Sequence, residues 1–255
     1  MKNPVKETLD NGEVSIGSWL NLASPLAAEV MAAAGFQWIA IDAEHTAFDL
    51  TLIANTMRAI EARGAVPLVR AWDHDPVTIG RLLDAGAYGI VVPHVSTPEQ
   101  AKELARCMRY PPQGTRSAGT GRCVTLSDDY RETLSDVVLC IPQIEDLEGI
   151  RNGEAIASVE GVDIGFLGPN DLALSMGVEA GCPEHEEALA PFLEGCRRAG
   201  IDQRPADGCP CIGPVCREPC GVANMKTFFC HYTHLPLNDL DAPGPDRFTR
   251  FKGHR

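Results

Sequence analysis

The sequence predicts an α/β fold of parallel βαβ units, on three observations. Short apolar runs rich in Val, Ile and Leu alternate with helix-length amphipathic stretches, the pattern of strands joined by crossover helices. The runs are apolar throughout rather than alternating, as strands covered on both faces are. A chain of 255 residues, 44% hydrophobic and only 6% aromatic, has about the length of an eight-fold βα barrel.

Taken in order, residues 14–20 read as a first strand, and Ser24-Pro25 opens a helix to Ala34, with proline at the helix start where its missing N–H does no harm. Gly35 ends that helix ahead of a second strand, 38–42. Residues 50–62 are helical, and Gly64 punctuates before the strand 66–70. Asp75-Pro76 caps a helix ending at Gly86, residues 89–92 form the fourth strand, and Thr97-Pro98-Glu99 begins the fourth helix. A longer polar connection covers 110–136. Strand 137–141, helix 146–158, strand 162–167 and helix 184–199 follow, making six βα units. We divide the chain into a barrel domain, 1–200, and an atypical Cys/Pro-rich tail, 201–255.

Charge narrows the function. A net charge of −13 opposes nucleic acid as a partner, because phosphate binding needs a basic surface. No run of about 18 apolar residues is present to span a bilayer, and Met1-Lys2-Asn3-Pro4 opens no signal peptide, so a cytoplasmic protein without a membrane partner is expected. Cys107, Cys140 and Cys196 fall in apolar or helical runs and read as small core residues. The five lysines, Lys2, Lys6, Lys102, Lys226 and Lys252, all lie away from strand ends, which leaves carbonyl chemistry no placed Schiff-base amine.

Acidic groups are so placed. In parallel α/β folds, side chains at strand C-termini converge on one face. Those ends give Asp42, Glu44 and His45 after the second strand, Arg70 after the third, and Glu145 and Asp171 after the fifth and sixth; Asp84 lies late in the helix before the fourth. One imidazole, one guanidinium and several carboxylates suit metal-assisted proton transfer rather than nucleophilic catalysis. Asp171 also has the residue type of a helix N-cap, a role compatible with ligation.

Six motifs in order carry a resemblance: Trp-Ile-Ala-Ile-Asp-Ala-Glu-His (38–45), Pro-Leu-Val-Arg (67–70), Leu-Leu-Asp-Ala-Gly (82–86), Arg-Tyr-Pro-Pro-Gln-Gly-Thr-Arg (109–116), Gln-Ile-Glu (143–145) and Gly-Pro-Asn-Asp-Leu (168–172). Over residues 14–199 the sequence resembles the HpcH/HpaI aldolases, of the class that cleaves 4-hydroxy-2-oxoheptanedioate or 2-dehydro-3-deoxyglucarate. The resemblance implies a TIM (β/α)8-type barrel of the phosphoenolpyruvate/pyruvate superfamily and reversible retro-aldol cleavage of a 4-hydroxy-2-oxo acid to pyruvate and an aldehyde. It implies Glu145 and Asp171 as ligands of Mg²⁺, Mn²⁺ or Co²⁺ and Arg70 as donor to the substrate keto oxygen. His45 becomes the proton shuttle, oriented by Asp84. Gln143, Gly168, Pro169 and Asn170 surround the pyruvate carboxylate, and Asp42 and Glu44 support His45 from behind. A homo-oligomer, a hexamer, is also implied, its last helix packing across subunits.

The rival readings are a CoA-ester lyase of the citrate-lyase β type and an inactive, truncated barrel product. The latter arises because the resemblance stops near residue 200. The tail holds 5 of the 10 cysteines and shows no clean helical or strand period, as a frame change in the coding sequence would produce, leaving the last two βα units missing. Its Cys209, Cys211, Cys216 and Cys220 lack the paired C-x2-C knuckles of common zinc sites, so zinc is not expected there.

Overall fold

The structure, a computed structural model, describes residues 1–198 except 12 and 14, together with a two-residue strand at 229–230. Each helix-opening sequence signal does its work. Ser24 accepts the N–H of Ala27 at the start of α2 (Pro25–Ala33), and Asp49 that of Leu52 at the start of α3 (Leu50–Glu61). Asp75 caps α4 (Pro76–Asp84), and Thr97 forms a reciprocal box with Gln100 at α5 (Pro98–Cys107). Asp146 caps α7 (Leu147–Ala157). These caps follow the strands directly and set the turns on the strands' C-terminal side.

The strands β1 (Gly17–Leu20), β2 (Trp38–Asp42), β3 (Val66–Arg70), β4 (Gly89–Val92), β5 (Leu139–Ile144), β6 (Phe166–Leu167) and β7 (Phe229–Cys230) stand side by side in chain order, every pair parallel. The sheet curls, since Trp19 of β1 meets Phe166 of β6 with ring centroids 5.4 Å apart. Among the described residues no strand joins β7 back to β1.

Because side chains alternate along a strand, each strand feeds two cores. Ile39, Ile41, Val69, Ile90, Val92 and Cys140 point outward under the helices. Trp38, Ala40, Val66, Leu68, Val91, Leu139, Ile141 and Phe166 point inward and fill the barrel. Continuing the inward phase by one step gives Asp42, Arg70 and Gln143, and one more gives Glu145. The interior is therefore apolar at its base and charged at its top.

A short helix that sequence periodicity did not indicate, α1 (Pro4–Asp10), seals the base. Its Val5 and Leu9 join the inner core. Buried Asn3 caps it, accepting from the N–H groups of Val5 and Lys6, while its amide donates to the carbonyls of Tyr88 (3.2 Å) and Val137 (2.8 Å) where β4 and β5 begin.

Several expectations shift. The connection 110–136 is not all loop: it holds a 3-10 turn (Arg122–Thr125) and α6 (Tyr130–Val137). The fifth strand lies at Leu139–Ile144 rather than 137–141, because Val137 and Val138 finish α6. The sixth is only Phe166–Leu167, because Asp163 turns back to accept the N–H of Cys140 and spends the preceding residues on a loop. The unit α8 (Pro169–Met176) was missed, and α9 (Pro183–Arg198) begins near the expected place. Cys107 and Cys140 are core residues, burial pushing the Cys107 thiol up to about 11. The surroundings of Cys196, the tail cysteines and the frame-change reading of 201–255 lie outside the described residues.

Asn3→Ala removes a cap and strands two carbonyls at the barrel base. It is expected to lower unfolding free energy by about 1–3 kcal/mol in urea titrations. An unchanged midpoint would show that α1 does not hold the base closed.

Candidate active site

The charged layer begins with a register effect. Asp42 and Arg70 are direct partners across β2 and β3, so their side chains rise side by side. Arg70 grips Asp42 with two parallel bonds, Nε to Oδ1 at 2.9 Å and Nη2 to Oδ2 at 2.6 Å, both groups buried. The amide of Asn21 donates to Asp42 Oδ2 (2.8 Å) and the His45 N–H to Oδ1 (3.3 Å), which satisfies the carboxylate fully. The guanidinium lies over the Trp19 ring at 4.9 Å, and its third nitrogen, Nη1, is 3.3 Å from Glu44.

On the opposite side, Glu145 follows β5 and is buried. Its Oε2 accepts from the Gln143 amide, and its Oε1 accepts the backbone N–H of His94 (2.7 Å). Gly168 is required beside it: a Cβ there would stand 2.7 Å from Glu145 Oε2. Burial raises the Glu145 carboxyl above the ordinary carboxylate range and the charge of Asp171 adds to this, against the His94 and Gln143 contacts that pull it down. Asp171 sits in the first turn of α8, whose N-cap is Gly168 rather than Asp171.

Between the two sides lies a narrow, partly open cleft lined by Arg70, Gln143, Phe166, Gly168, Pro169, Asn170 and Asp171. A larger depression beside α1 and α6 is at the barrel base, away from the strand C-termini where chemistry in this architecture is placed. The structure thus brings together Asp42, Glu44, Arg70, Gln143, Glu145, Gly168, Pro169, Asn170 and Asp171, with His45 at the rim.

Asp84 is the exception. Its carboxylate accepts from Arg116 Nη2 at 2.7 Å and lies 3.7 Å from Cys123 Sγ, whereas the carboxylate beside His45 Nε2 is Glu44, at 3.5 Å. Within one chain the expected pairing of His45 with Asp84 is not formed: the buried Arg116 claims Asp84 and anchors the 110–129 connection to α4.

His94 was missed. It follows β4 as Val-Pro-His and takes a left-handed φ of 55°, an uncommon state for a non-glycine residue that is stabilised here by its contacts. Besides its N–H bond, its Nδ1 stands 2.9 Å from Glu145 and its Nε2 3.5 Å from Glu44, so the ring bridges the two sides of the mouth. The strand-end rule that selected Arg70 and Glu145 selects His94 too when applied to β4.

The donor set fits a hard divalent cation. Four carboxylates (Asp42, Glu44, Glu145, Asp171) face one guanidinium, and buried Gln143 Oε1 has no hydrogen-bond partner among the described residues. Glu145 and Asp171 supply the anionic oxygens such an ion prefers. Among the described residues no group of three or more His, Cys, Asp or Glu side chains is placed to hold a metal ion, so the pair would be the whole anionic donor set.

The HpcH/HpaI aldolase/citrate lyase family model matches residues 15–204. A hydroxypyruvate/pyruvate aldolase of Pseudomonas aeruginosa is 38% identical over 205 residues, 78% of this chain and 76% of that protein. A 4-hydroxy-2-oxo-heptane-1,7-dioate aldolase of Shigella sonnei is 39% identical over 194 residues, 74% of each. The crystal structure of a family member from Burkholderia cenocepacia superposes with a TM-score of 0.74 at 36% identity, covering 78% of this chain and 82% of that one. With the motifs, the parallel barrel strands and the family model all coinciding, the chain belongs to the HpcH/HpaI aldolase/citrate lyase family.

Proposed function

We propose that the protein is a divalent-metal-dependent carbon-carbon lyase, a class II pyruvate aldolase that reversibly cleaves a 4-hydroxy-2-oxo acid to pyruvate and an aldehyde. The observation that carries this reading is one small cleft lined by Asp171 and the clamped Arg70, with buried Glu145 directly behind its Gln143 and Gly168 walls. Membership of an aldolase family, and relatives named as aldolases of hydroxypyruvate/pyruvate and of a hydroxy-oxo diacid, support it.

Glu145 and Asp171 would hold the ion, Mg²⁺, Mn²⁺ or Co²⁺. When bound, the ion supplies a Lewis acid for the pyruvyl oxygens. Arg70, fixed by Asp42, donates to the keto oxygen and stabilises the negative charge that develops there as the C3–C4 bond breaks. The Gln143 amide and the turn at Gly168, Pro169 and Asn170 seat the carboxylate. His45, exposed at the rim beside Glu44, takes the 4-hydroxyl proton as the aldehyde departs, and C3 of the enolate is then reprotonated to give pyruvate. Asp84 acts within the chain by positioning the Arg116 connection. His94 restrains Glu145.

A CoA-ester lyase is less well supported. Arg70 is the one cation among the residues lining the cleft, which therefore offers no basic patch for a nucleotide. The truncated-product reading concerns residues outside those described. Exposed Leu26 and Val30 along one side of α2, with exposed Leu22 just ahead of it, support a homo-oligomer, with the hexamer to be read from sedimentation. Among the described residues no helix is long and apolar enough to cross a membrane, which is consistent with a cytoplasmic location.

Glu145→Gln and Asp171→Asn are each expected to reduce pyruvate release from 4-hydroxy-2-oxo acids at least about 100-fold, and chelator to abolish it until Mn²⁺ is restored. Full turnover in chelator would exclude the metal reading. Arg70→Lys keeps the charge but loses the paired grip on Asp42. It is expected to slow exchange of the pyruvate methyl protons with D₂O by about 10²–10³-fold, followed by NMR. A native exchange rate would remove Arg70 from the chemistry.

A further inference from the structure

The imidazole of His185, on α9, is fully buried and lies apart from the cleft. Both ring nitrogens are engaged. The N–H of Gly181 donates to Nδ1 at 3.0 Å, and Nε2 lies 2.8 Å from the carbonyl oxygen of Pro169. A backbone N–H can only donate, so Nδ1 carries no proton. Nε2 therefore does, and it donates to Pro169. Gly181 adopts φ 82°, a conformation readily available to glycine, and so turns its N–H onto the ring. Pro169 is the first residue of α8, and Asp171 follows two residues later in the same turn.

The start of α8 has no side-chain cap, since Gly168 offers none, and glycine is required there by the closeness of Glu145. The turn that presents Asp171 therefore lacks the usual local tether. The His185 N–H supplies one from outside, gripping the carbonyl at the head of that turn.

We propose that His185 is a positioning residue for the metal site: by donating to Pro169 it fixes the first turn of α8 and thereby the distance between Asp171 and Glu145. This rests on the metal reading of those two carboxylates. Hydrogen bonds of this kind behind ligands typically contribute about 10–100-fold in metal affinity.

Two variants of the full chain separate the roles of the two nitrogens. Glutamine places an amide N–H near the position of Nε2 and can still donate to Pro169. Asparagine places its oxygen near Nδ1, so it accepts from Gly181 but cannot reach Pro169. Mn²⁺ binding is measured by titration calorimetry, with thermal unfolding followed in parallel. The expected result is that His185→Asn weakens Mn²⁺ binding at least about 10-fold, while His185→Gln stays within about threefold of native even where both variants melt earlier. Equal Mn²⁺ affinity in both variants, native or equally weakened, overturns the proposal and leaves His185 a packing residue. Failure of the unsubstituted protein to bind Mn²⁺ instead removes the metal reading itself, and this inference with it.

Discussion

The pair of Asp42 and Arg70 is the interaction on which the upper half of the barrel depends. It arises from strand register alone, since the two residues are opposite each other across β2 and β3. Burying two opposite charges rarely stabilises a protein relative to apolar residues of the same size, because desolvation offsets the attraction. What the pair contributes is orientation. Two of the three guanidinium nitrogens are committed to Asp42, the plane is braced on Trp19, and the remaining nitrogen points toward Glu44. A cation held that rigidly is arranged before substrate arrives, which is the condition for electrostatic stabilisation of a developing oxyanion.

The same inside-outside alternation explains what the sequence disclosed and what it hid. β2 and β3 were read to the residue because their apolar runs are bounded by Gly and by charged ends. β5 was misplaced because its inward residues change from Leu139 and Ile141 to Gln143, so the strand stops looking apolar where it enters the site. α1 escaped because about two turns of helix bearing two buried residues give no usable period. α8 escaped because Gly-Pro reads as a turn, although proline at a first helical position is favourable.

Site residues were legible wherever they end a strand, and illegible where a contact is made by folding at a distance. Asp84 was placed with His45 through the resemblance, yet in the folded chain Arg116 reaches it from 32 positions away, flanked by Tyr110 and Tyr130 rings at 4.8 and 5.6 Å. A buried arginine must find a carboxylate, and Asp84 is the one that α4 offers. His185 was hidden in the same way, since it belongs to no motif and folding brings Pro169 to it, whereas His94 follows β4 and was open to the strand-end rule although it was missed.

The surplus of negative charge at the strand ends follows from these placements and has a direction. A barrel selected only for stability would not set Asp171 beside a buried Glu145, because each charge raises the free energy of the other and burial adds to it. Gln143, His94 and the glycine at 168 lessen that repulsion without cancelling it: they orient oxygens and donate hydrogen bonds, but add no fixed positive charge. The divalent ion proposed here would cancel it, and would be bound more tightly for arriving where the field is already unfavourable to the protein. On that reading part of the repulsion between the two carboxylates would be recovered as affinity for the ion, and the apolar base sealed by α1 is what allows the top of the barrel to carry the charge.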